Sequence, residues 1–508
     1  RWRPHRRAVR FHRLATRLSS MSGRSFGLML AGLLVAMMQG TALADPWLAP
    51  GDERIRSDIQ LLADAGILHG PVTTWPMSWP DIARDALAIR ADSTLDSSTF
   101  DALLRIQRLA RAASSRGGTG RGISVSGAVE PVQLRGFAAT PREEGELAMR
   151  TGWLGDKLAI NLQATVVADP DDDRSLRPDG SYIGVNVGNF MVSAGYMERW
   201  WGPGWDSSLI LSTNARPIPG LTLERNYSDP FKTPLLSWIG PWRASIAVGE
   251  EEEHDVAVSR VRFLAARVDF KPRPWLELAL TRTAQWCGGD RTCNLGTLRD
   301  LLIGRDNRSD ALGADDEPGN QMAGYDMRLR SPWRKLPAAL YTQWIGEDEA
   351  GGLPSKFVGL FGVEVWGSTR FGTHRLRAEY TDTACVFTRQ NPEFGCAYRN
   401  SIYPQGYTYR GRIIGSSMDN DSRMTTVAAL LTRKQGDVVS LALRHVQLNR
   451  DGGAHALTPV PLDLDNVEMQ YSRHFGFGRI SAGLGYEDAG TIDSGSRIHG
   501  FLNWQQGF

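Results

Sequence analysis

The sequence predicts an all-β transmembrane protein, an antiparallel outer-membrane β-barrel preceded by a small helical bundle. Three observations predict this fold. A short apolar run of secretory type lies near the N-terminus, the long C-terminal part alternates apolar and polar side chains, and the chain ends on an amphipathic strand with a terminal Phe508. After Ala44 no apolar stretch approaches the roughly 18–20 residues that a membrane-spanning helix needs, which excludes a helical membrane protein.

Residues 1–44 are predicted to be a leader and signal peptide. The apolar run at 25–44 ends on Ala42-Leu43-Ala44, so we expect cleavage before Asp45. A membrane-anchoring first helix is the alternative, but the run is short for a membrane span. The leader carries eight arginines and no acidic residue, so its removal takes the formal net charge from +2 to −6. A chain of that charge offers no case for a nucleic-acid partner.

Residues 45–118 are predicted to form a periplasmic helical domain. GDERIRSDIQLLADAGILHG (51–70) has apolar residues at helical spacing. A second helix is expected after Ser78, an N-cap that Asp81 completes as a capping box. The third helix is expected at 98–114, where apolar residues again recur at helical spacing.

Residues 119–508 are predicted to form the barrel, after a linker SRGGTGRG at 115–122. KLAINLQATVVA (157–168) places apolar residues on one face and Ala, Asn, Gln and Thr on the other. Similar runs recur every 20 residues or so, which corresponds to roughly 16–20 strands, with an even number expected. Tryptophans at strand ends are expected to form the aromatic girdles at the membrane interfaces. These residues are Trp153, Trp275, Trp286, Trp366 and Trp504.

The four cysteines support export to an oxidising compartment. Cys287 and Cys293, and Cys385 and Cys396, each close a short loop that contains Gly or Pro, which is typical of local disulfides. Their spacing matches no zinc pattern, so no metal site is predicted. No cofactor is predicted, and the nucleophile-elbow, zinc-protease and phosphate-loop motifs are absent from the sequence. We therefore expect a protein that is not an enzyme.

The order of these parts resembles the capsule assembly protein Wzi family. The resemblance is densest in RSDIQLLADAGILHGPVTTWPMSW, ERWWGPGWDSSLILSTNARPIPGLTLER and YSDPFKTPLLSWIGPW. It implies a barrel of about 18 strands in the outer membrane of a Gram-negative bacterium, with the helical domain in the periplasm and long extracellular loops. It also implies a lectin-like role, in which capsular polysaccharide or exopolysaccharide is bound and anchored at the cell surface.

Further partners and rival functions follow from this expectation. We expect contact with outer-membrane lipid and lipopolysaccharide, engagement of the barrel-assembly machinery by the last strand during biogenesis, and a monomer. A channel or porin for small solutes or sugars is the first alternative. A barrel enzyme that modifies lipopolysaccharide or glycan is the second.

Residues 198–216, ERWWGPGWDSSLILSTNAR, are the candidate functional stretch. Aromatic rings stack on the apolar faces of sugars, and Asp, Asn and Arg match sugar hydroxyls and carboxylates. The same side chains also suit a plug that folds into the lumen, where Glu198, Arg199 and Asp206 satisfy one another. Both uses remain open at this point. The candidate residues for polysaccharide binding or for the lumen plug are Arg199, Trp200, Trp201, Trp205, Asp206, Asn214 and Arg216.

Overall fold

The structure is a computed structural model that describes residues 45–91, 95–115, 117, 119–252, 256–289, 291–302, 319–333, 335–350, 353–489 and 495–507. The predicted signal peptide lies outside the described residues. Within them, no helix has the length and apolar character required to cross a membrane.

A closed antiparallel barrel of 18 strands makes up most of the described chain, as the fold prediction and the expected even number require. The first barrel strand pairs with the last, Gly500 opposite Val129, which closes the wall. The wall strands are β4 (Thr119–Val129), β5 (Gly145–Leu154), β6 (Leu158–Ala168), β8 (Tyr182–Val187), β9 (Phe190–Gly195), β11 (Gly220–Arg225), β12 (Trp242–Glu251), β13 (Val261–Arg273), β14 (Leu276–Trp286), β15 (Gly319–Arg330), β16 (Ala338–Ala350), β17 (Leu353–Thr369), β18 (Gly372–Asp382), β21 (Arg423–Arg433), β22 (Val438–Leu448), β23 (Leu462–Phe475), β24 (Gly478–Ala489) and β25 (Ser496–Gln506).

Shorter strands lie outside this wall or at its edge. They are β1 (Trp47–Leu48), β2 (Thr74–Trp75), β3 (Met77–Ser78), β7 (Leu176–Arg177), β10 (Trp200–Trp201), β19 (Thr408–Tyr409) and β20 (Arg412–Ile413). The helices are α1 (Glu53–Asp64), α2 (Trp79–Ala88), α3 (Ser97–Ala113) and α4 (Leu295–Leu302).

Each wall strand alternates between lipid and lumen, which is the physical basis of its two-residue period. On β12, Ile246 and Val248 are exposed on the outer surface, whereas Arg243 and Ser245 are buried and hydrogen-bond inside the barrel. The outer band is therefore apolar, and the inner face carries charges and hydroxyls.

The helical head, residues 45–113, packs into one end of the barrel. Asp52 caps α1 by accepting a hydrogen bond from the Ile55 amide at 3.0 Å, and Gly66 follows the helix with φ +78°, a left-handed conformation that favours glycine. Ser97 of α3 donates to Ser368 near the end of β17 at 3.0 Å. The head core includes Ile59, Leu62 and Leu103 and extends to side chains from barrel connections.

Three local predictions were wrong. Ser78 is the N-cap of α2, but its side chain makes no capping hydrogen bond, and the Asp81 carboxylate accepts from the Ser228 amide and from Arg84 instead of closing the capping box. The expected linker at 115–122 is shorter than predicted, since β4 already begins at Thr119. The third error concerns two of the girdle tryptophans.

Trp366 and Trp286 are not exposed at a membrane interface. Trp366 is on the lumen side and packs against the head core, with the Arg375 guanidinium 5.1 Å from its ring centroid. Trp286 is buried in a small cluster with Leu298 of α4 packed against it. Trp153 and Trp275 are exposed at strand ends, in agreement with the girdle prediction.

The structure contains both predicted disulfides. Cys287 is joined to Cys293 with a Cα–Cα distance of 5.1 Å, and Cys385 to Cys396 with 6.0 Å. Each disulfide closes a short loop at the start of a long connection, just after a wall strand.

Candidate functional site

The connections at the two barrel ends differ in length. At the head end they have two to seven residues, apart from 226–241. At the opposite end, called the loop end, most are longer. The longer loop-end connections span residues 130–144, 169–181, 196–219, 252–260, 287–318, 383–422 and 449–461. Short turns at one end and long loops at the other are typical of outer-membrane barrels, whose long loops are extracellular.

The candidate stretch turns inward from the loop end. Residues 196–219 connect β9 to β11, and their first part pairs with the head inside the barrel. Trp200 lies opposite Trp75 and Trp201 opposite Thr74 in a two-stranded antiparallel ribbon, β10 with β2. The head and the connection, which enter from opposite ends, therefore meet through backbone hydrogen bonds.

The three tryptophans of this stretch are buried. Trp200, Trp201 and Trp205 have at most 1% of their surface exposed. The Trp200 indole donates to the Gly204 carbonyl at 2.9 Å, and its ring lies edge-on to Phe137 at 5.6 Å. Trp200 belongs to the head core, whereas Trp201 and Trp205 belong to a second core with side chains of the wall and of connection 383–422.

Arg56 of α1 joins the head to this core. Its guanidinium donates to the Pro203 carbonyl at 2.7 Å. The same group is 4.4 Å from the Phe137 ring centroid and 4.3 Å from that of Trp205. A cation between two ring faces is held by their quadrupoles, so one head side chain contacts both loop-end connections.

Asp206 anchors the turn to the barrel wall through two arginines. Its carboxylate accepts from Arg377 at 3.3 Å and from Arg444 at 2.8 Å. Arg377 also pairs with Glu53 of α1, and Arg444 also pairs with Glu468 of β23. Burial alone would raise the pKa of the Asp206 carboxyl, but the Arg444 and Arg377 charges outweigh burial and hold it below its ordinary value.

Glu379 of β18 holds the backbone of the same turn, and sequence reasoning missed it. Its carboxylate accepts from the amides of Trp205 at 2.8 Å, Asp206 at 3.2 Å and Ser207 at 2.9 Å, and from the Tyr341 hydroxyl at 3.1 Å. Three successive amides on one carboxylate fix the turn geometry, because buried N–H groups need acceptors.

The other three candidate residues lie farther along the connection or against the wall. Asn214 donates to the Ile413 carbonyl at 2.8 Å. Arg199 hydrogen-bonds to Thr222 of β11, and Arg216 pairs with two acids of connection 169–181. These contacts tie the stretch to two neighbouring connections and to the wall.

Arg216 forms the strongest of these links. It contacts Asp179 at 2.8 and 2.7 Å and Asp172 at 2.6 Å. Burial lowers its pKa, but the hydrogen bonds and charges of the two acids raise it further, above the ordinary arginine value. Asp172 in turn accepts from Arg177 at 2.9 Å, which extends the network.

Charged residues on the inner wall hold the head in the same way. Arg328 of β15 makes a bidentate contact with Asp64 at 2.7 and 2.8 Å and also donates to Glu364 at 2.9 Å. Glu277 of β14 accepts from the amides of Val72 and Thr73, both at 2.8 Å. In the described part of the chain, charged side chains of the wall thus pair with the head inside the lumen.

The alternation of charged and apolar residues along the strands indicates which wall residues face the lumen. GYDMRLR in β15 and RLRAEY in β18 place charges at every second position on the inner face. A water-filled porin shows the same pattern, so it predicts a polar lumen without predicting its occupant. Among the described residues, no group of three His, Cys, Asp or Glu is arranged to hold a metal ion.

These features define the class of protein as an outer-membrane β-barrel with a filled lumen and long loops at one end. The chain belongs to the Wzi family, since the family model "Capsule assembly protein Wzi" matches residues 127–495. The resemblance noted from the sequence is therefore confirmed.

Two relatives are similar to this chain. One solved structure is Wzi of Escherichia coli, described as an outer membrane protein involved in group 1 capsule assembly and a carbohydrate-binding β-barrel. It matches with a TM-score of 0.79 at 26% identity, over 91% of this chain and 99% of its own. An uncharacterized 55.8 kDa protein in the cps region of Klebsiella pneumoniae is 30% identical over 360 residues. That match covers 70% of this chain and 66% of the relative, just under two thirds of its length.

Proposed function

We propose that this protein binds and anchors capsular or related surface polysaccharide at the cell surface, without catalysing a reaction. Membership of the Wzi family and the carbohydrate binding named for the E. coli structure support this proposal. In this arrangement the head lies in the periplasm and the loop end faces the exterior. The protein acts as a monomer, and its outer wall contacts outer-membrane lipid and lipopolysaccharide.

The filled lumen is the observation that carries the proposal. Arg56, Asp206 and Glu379 join the head, the turn and the wall in one buried network. A solute that passed through would have to break ion pairs whose partners are buried on every side, which costs several kcal/mol per pair in mutational data. This arrangement favours a stationary binding surface over a channel.

Within this function, we assign residues 198–216 to the plug and the glycan contact to the loop end. The indoles of the stretch are turned inward, so they offer no ring face to a sugar on the cell surface. Exposed arginines of the loop-end connections provide planar donors for sugar hydroxyls and uronic-acid carboxylates. These are Arg174, Arg260 and Arg389.

The decisive experiment compares a deletion strain with a complemented strain. We expect the deletion to release polysaccharide into the medium while total synthesis is unchanged, because anchoring rather than synthesis is lost. Equal amounts of retained polysaccharide in both strains would contradict the proposal.

Variants of the purified protein then locate the contact. We expect the combined substitution of Arg174, Arg260 and Arg389 by Ala to weaken glycan binding while the heat-modifiable gel mobility of a folded barrel is retained. Arg108→Ala, an exposed arginine of α3 on the head, is the matched control and should bind glycan normally. Normal glycan binding by the triple variant would exclude these three arginines as the glycan contact.

Two further measurements test the rival functions. Mass spectrometry of polysaccharide and lipopolysaccharide incubated with the protein should show neither cleavage nor deacylation, and new products would establish an enzyme. Planar-bilayer recordings should lack steady single-channel currents, and large stable currents would establish a porin.

The last strand gives the proposal for biogenesis. On β25, Ile498 and Leu502 are exposed on the outer face, as an amphipathic terminal strand requires. We assign this strand to recognition by the barrel-assembly machinery. Replacing both residues with Ser should lower the amount of folded protein in the outer membrane without changing its synthesis.

A further inference from the structure

The connection between β11 and β12 carries an exposed apolar surface at the head end. Residues 229–241, called the hook, include DPFKTPLLSWIGP. Leu235 is 80% exposed, Trp238 59% and Leu236 37%. Three large apolar side chains within four residues are unusual on a surface that faces only water.

The hook is an ordered structure. The Leu236 and Ser237 amides both donate to the Thr233 carbonyl, at 3.1 and 2.9 Å, and a 3₁₀ turn follows at Ser237–Ile239. At the base, the Trp242 amide donates to the Ser228 carbonyl at 3.0 Å. The apolar side chains are therefore presented by a fixed backbone.

The base of the hook lies on the outer face of the barrel wall. Trp242 points outward, because its neighbour Arg243 reaches inward to the Pro76 carbonyl at 3.2 Å. Phe231 stacks on Trp242 with ring centroids 4.7 Å apart and planes at 13°. Gly240 has φ +71°, and a Cβ there would be 2.1 Å from the Lys271 carbonyl oxygen, so glycine permits the close return along β13.

The surface around the hook is already the lipid-facing band of the barrel. Leu223 of β11, Ile246 of β12 and Val268 of β13 are exposed on the outer wall. Trp275, in the turn between β13 and β14 at the same end, is exposed as well. The hook continues this band beyond the strand ends, where Trp and Tyr collect at membrane interfaces.

We propose that the hook inserts into the headgroup–acyl boundary of the phospholipid leaflet on the head side, as a membrane anchor additional to the barrel strands. Leu235, Leu236 and Trp238 provide the apolar face that such interfacial segments bury. The exposed Lys232 at the start of the tip matches the negative charge of phospholipid phosphates. This inference concerns lipid alone and does not depend on the glycan proposal.

A site-specific fluorophore tests the position of the hook. All four native cysteines are in disulfides, so Leu235→Cys can be labelled selectively with a polarity-sensitive dye in the full-length folded protein. The protein is placed in nanodiscs of phosphatidylethanolamine and phosphatidylglycerol that contain nitroxide-labelled lipid. Leu223→Cys on the wall is the lipid-exposed control, and Arg108→Cys on α3 is the water-exposed control.

We expect lipid nitroxides to quench the Leu235→Cys label at least half as strongly as the Leu223→Cys label and at least threefold more than the Arg108→Cys label. Quenching equal to that of Arg108→Cys would overturn the proposal. Shielding that appears only with two copies per disc, or only after addition of periplasmic extract, would identify a second copy or a protein partner and would equally overturn it.

A second variant separates insertion from folding. Leu235→Ser with Trp238→Ser removes the apolar face without touching the hydrogen bonds of the hook base. Heat-modifiable mobility should be unchanged, whereas quenching of a label at Leu236→Cys should fall at least twofold. Unchanged quenching in this folded variant would show that the apolar side chains do not hold the hook in lipid.

Discussion

The ion pairs of Asp206 predict how firmly the turn is held in the lumen. Asp206→Asn keeps the shape of the side chain but removes the charge that faces Arg377 and Arg444. Loss of one partner of a buried ion pair costs about 3–5 kcal/mol. Arg377 retains Glu53 and Arg444 retains Glu468, so the lower end of this energy range applies. About 3 kcal/mol corresponds to roughly a hundredfold larger population of the displaced turn.

Planar-bilayer recording measures that population as the fraction of time spent in transient openings. We expect Asp206→Asn to raise this fraction by about two orders of magnitude while the barrel remains heat-modifiable, since no hydrogen bond between wall strands is changed. Asp465→Asn is the matched control, because Asp465 is 74% exposed and its partner His445 is exposed as well. Such exposed pairs contribute about 0–1 kcal/mol. The reasoning would be refuted if Asp206→Asn were open for no more of the time than the wild type, or if Asp465→Asn were open as much as Asp206→Asn.

Three further predictions concern the turn and the longest loop. Gly204→Ala should displace the turn, because a Cβ there would be 2.2 Å from the Ser207 carbonyl oxygen. Limited proteolysis measures this displacement, and cleavage within connection 196–219 should be faster than in the wild type. Cys385→Ser with its partner cysteine also replaced should destabilise connection 383–422 by about 2–4 kcal/mol, measured as faster hydrogen exchange there and unchanged exchange in the wall. Burial and neighbouring acids raise the pKa of the Asp421 carboxyl to about 6. Ionisation of this group therefore destabilises the folded connection 383–422 as the pH rises from about 4 to 6, and hydrogen-exchange protection there should decrease. Asp421→Asn should abolish that decrease.

The wall was predictable from the sequence because its physical cause is local. A strand between lipid and lumen must alternate, and this period is visible in every run such as 157–168. The same locality explains the two disulfides, whose cysteines are 6 and 11 residues apart. It also explains α1, where Asp52 at the start and Gly66 after the end mark the helix directly.

The interior was not predictable in detail because its contacts are not local. Glu53 pairs with a residue 324 positions away, and Asp64 with one 264 positions away. The charges of the inner wall alternate in the same way whether water or protein faces them. Trp366 shows the consequence, since its place near a strand end fits a girdle equally well until the head core is seen against it.

The charged wall also accounts for the composition of the head and of the stretch 198–216, which we propose as the plug. An apolar plug would leave Arg377 buried without its two carboxylate partners and Glu379 with only the Tyr341 hydroxyl, and an unpaired buried charge is strongly destabilising. The head and the turn therefore have to provide acids and backbone amides at matching positions, as Asp64, Asp206 and the Trp205 amide do. Because each charge on the wall accepts only the opposite charge, the pairing fixes the orientation of the plug, whereas apolar packing would tolerate several. The aromatic and polar residues of 198–216 are thus explained together: Trp200 packs on the head core, Trp201 and Trp205 pack on the wall and on connection 383–422, and the charges specify how the stretch fits the wall.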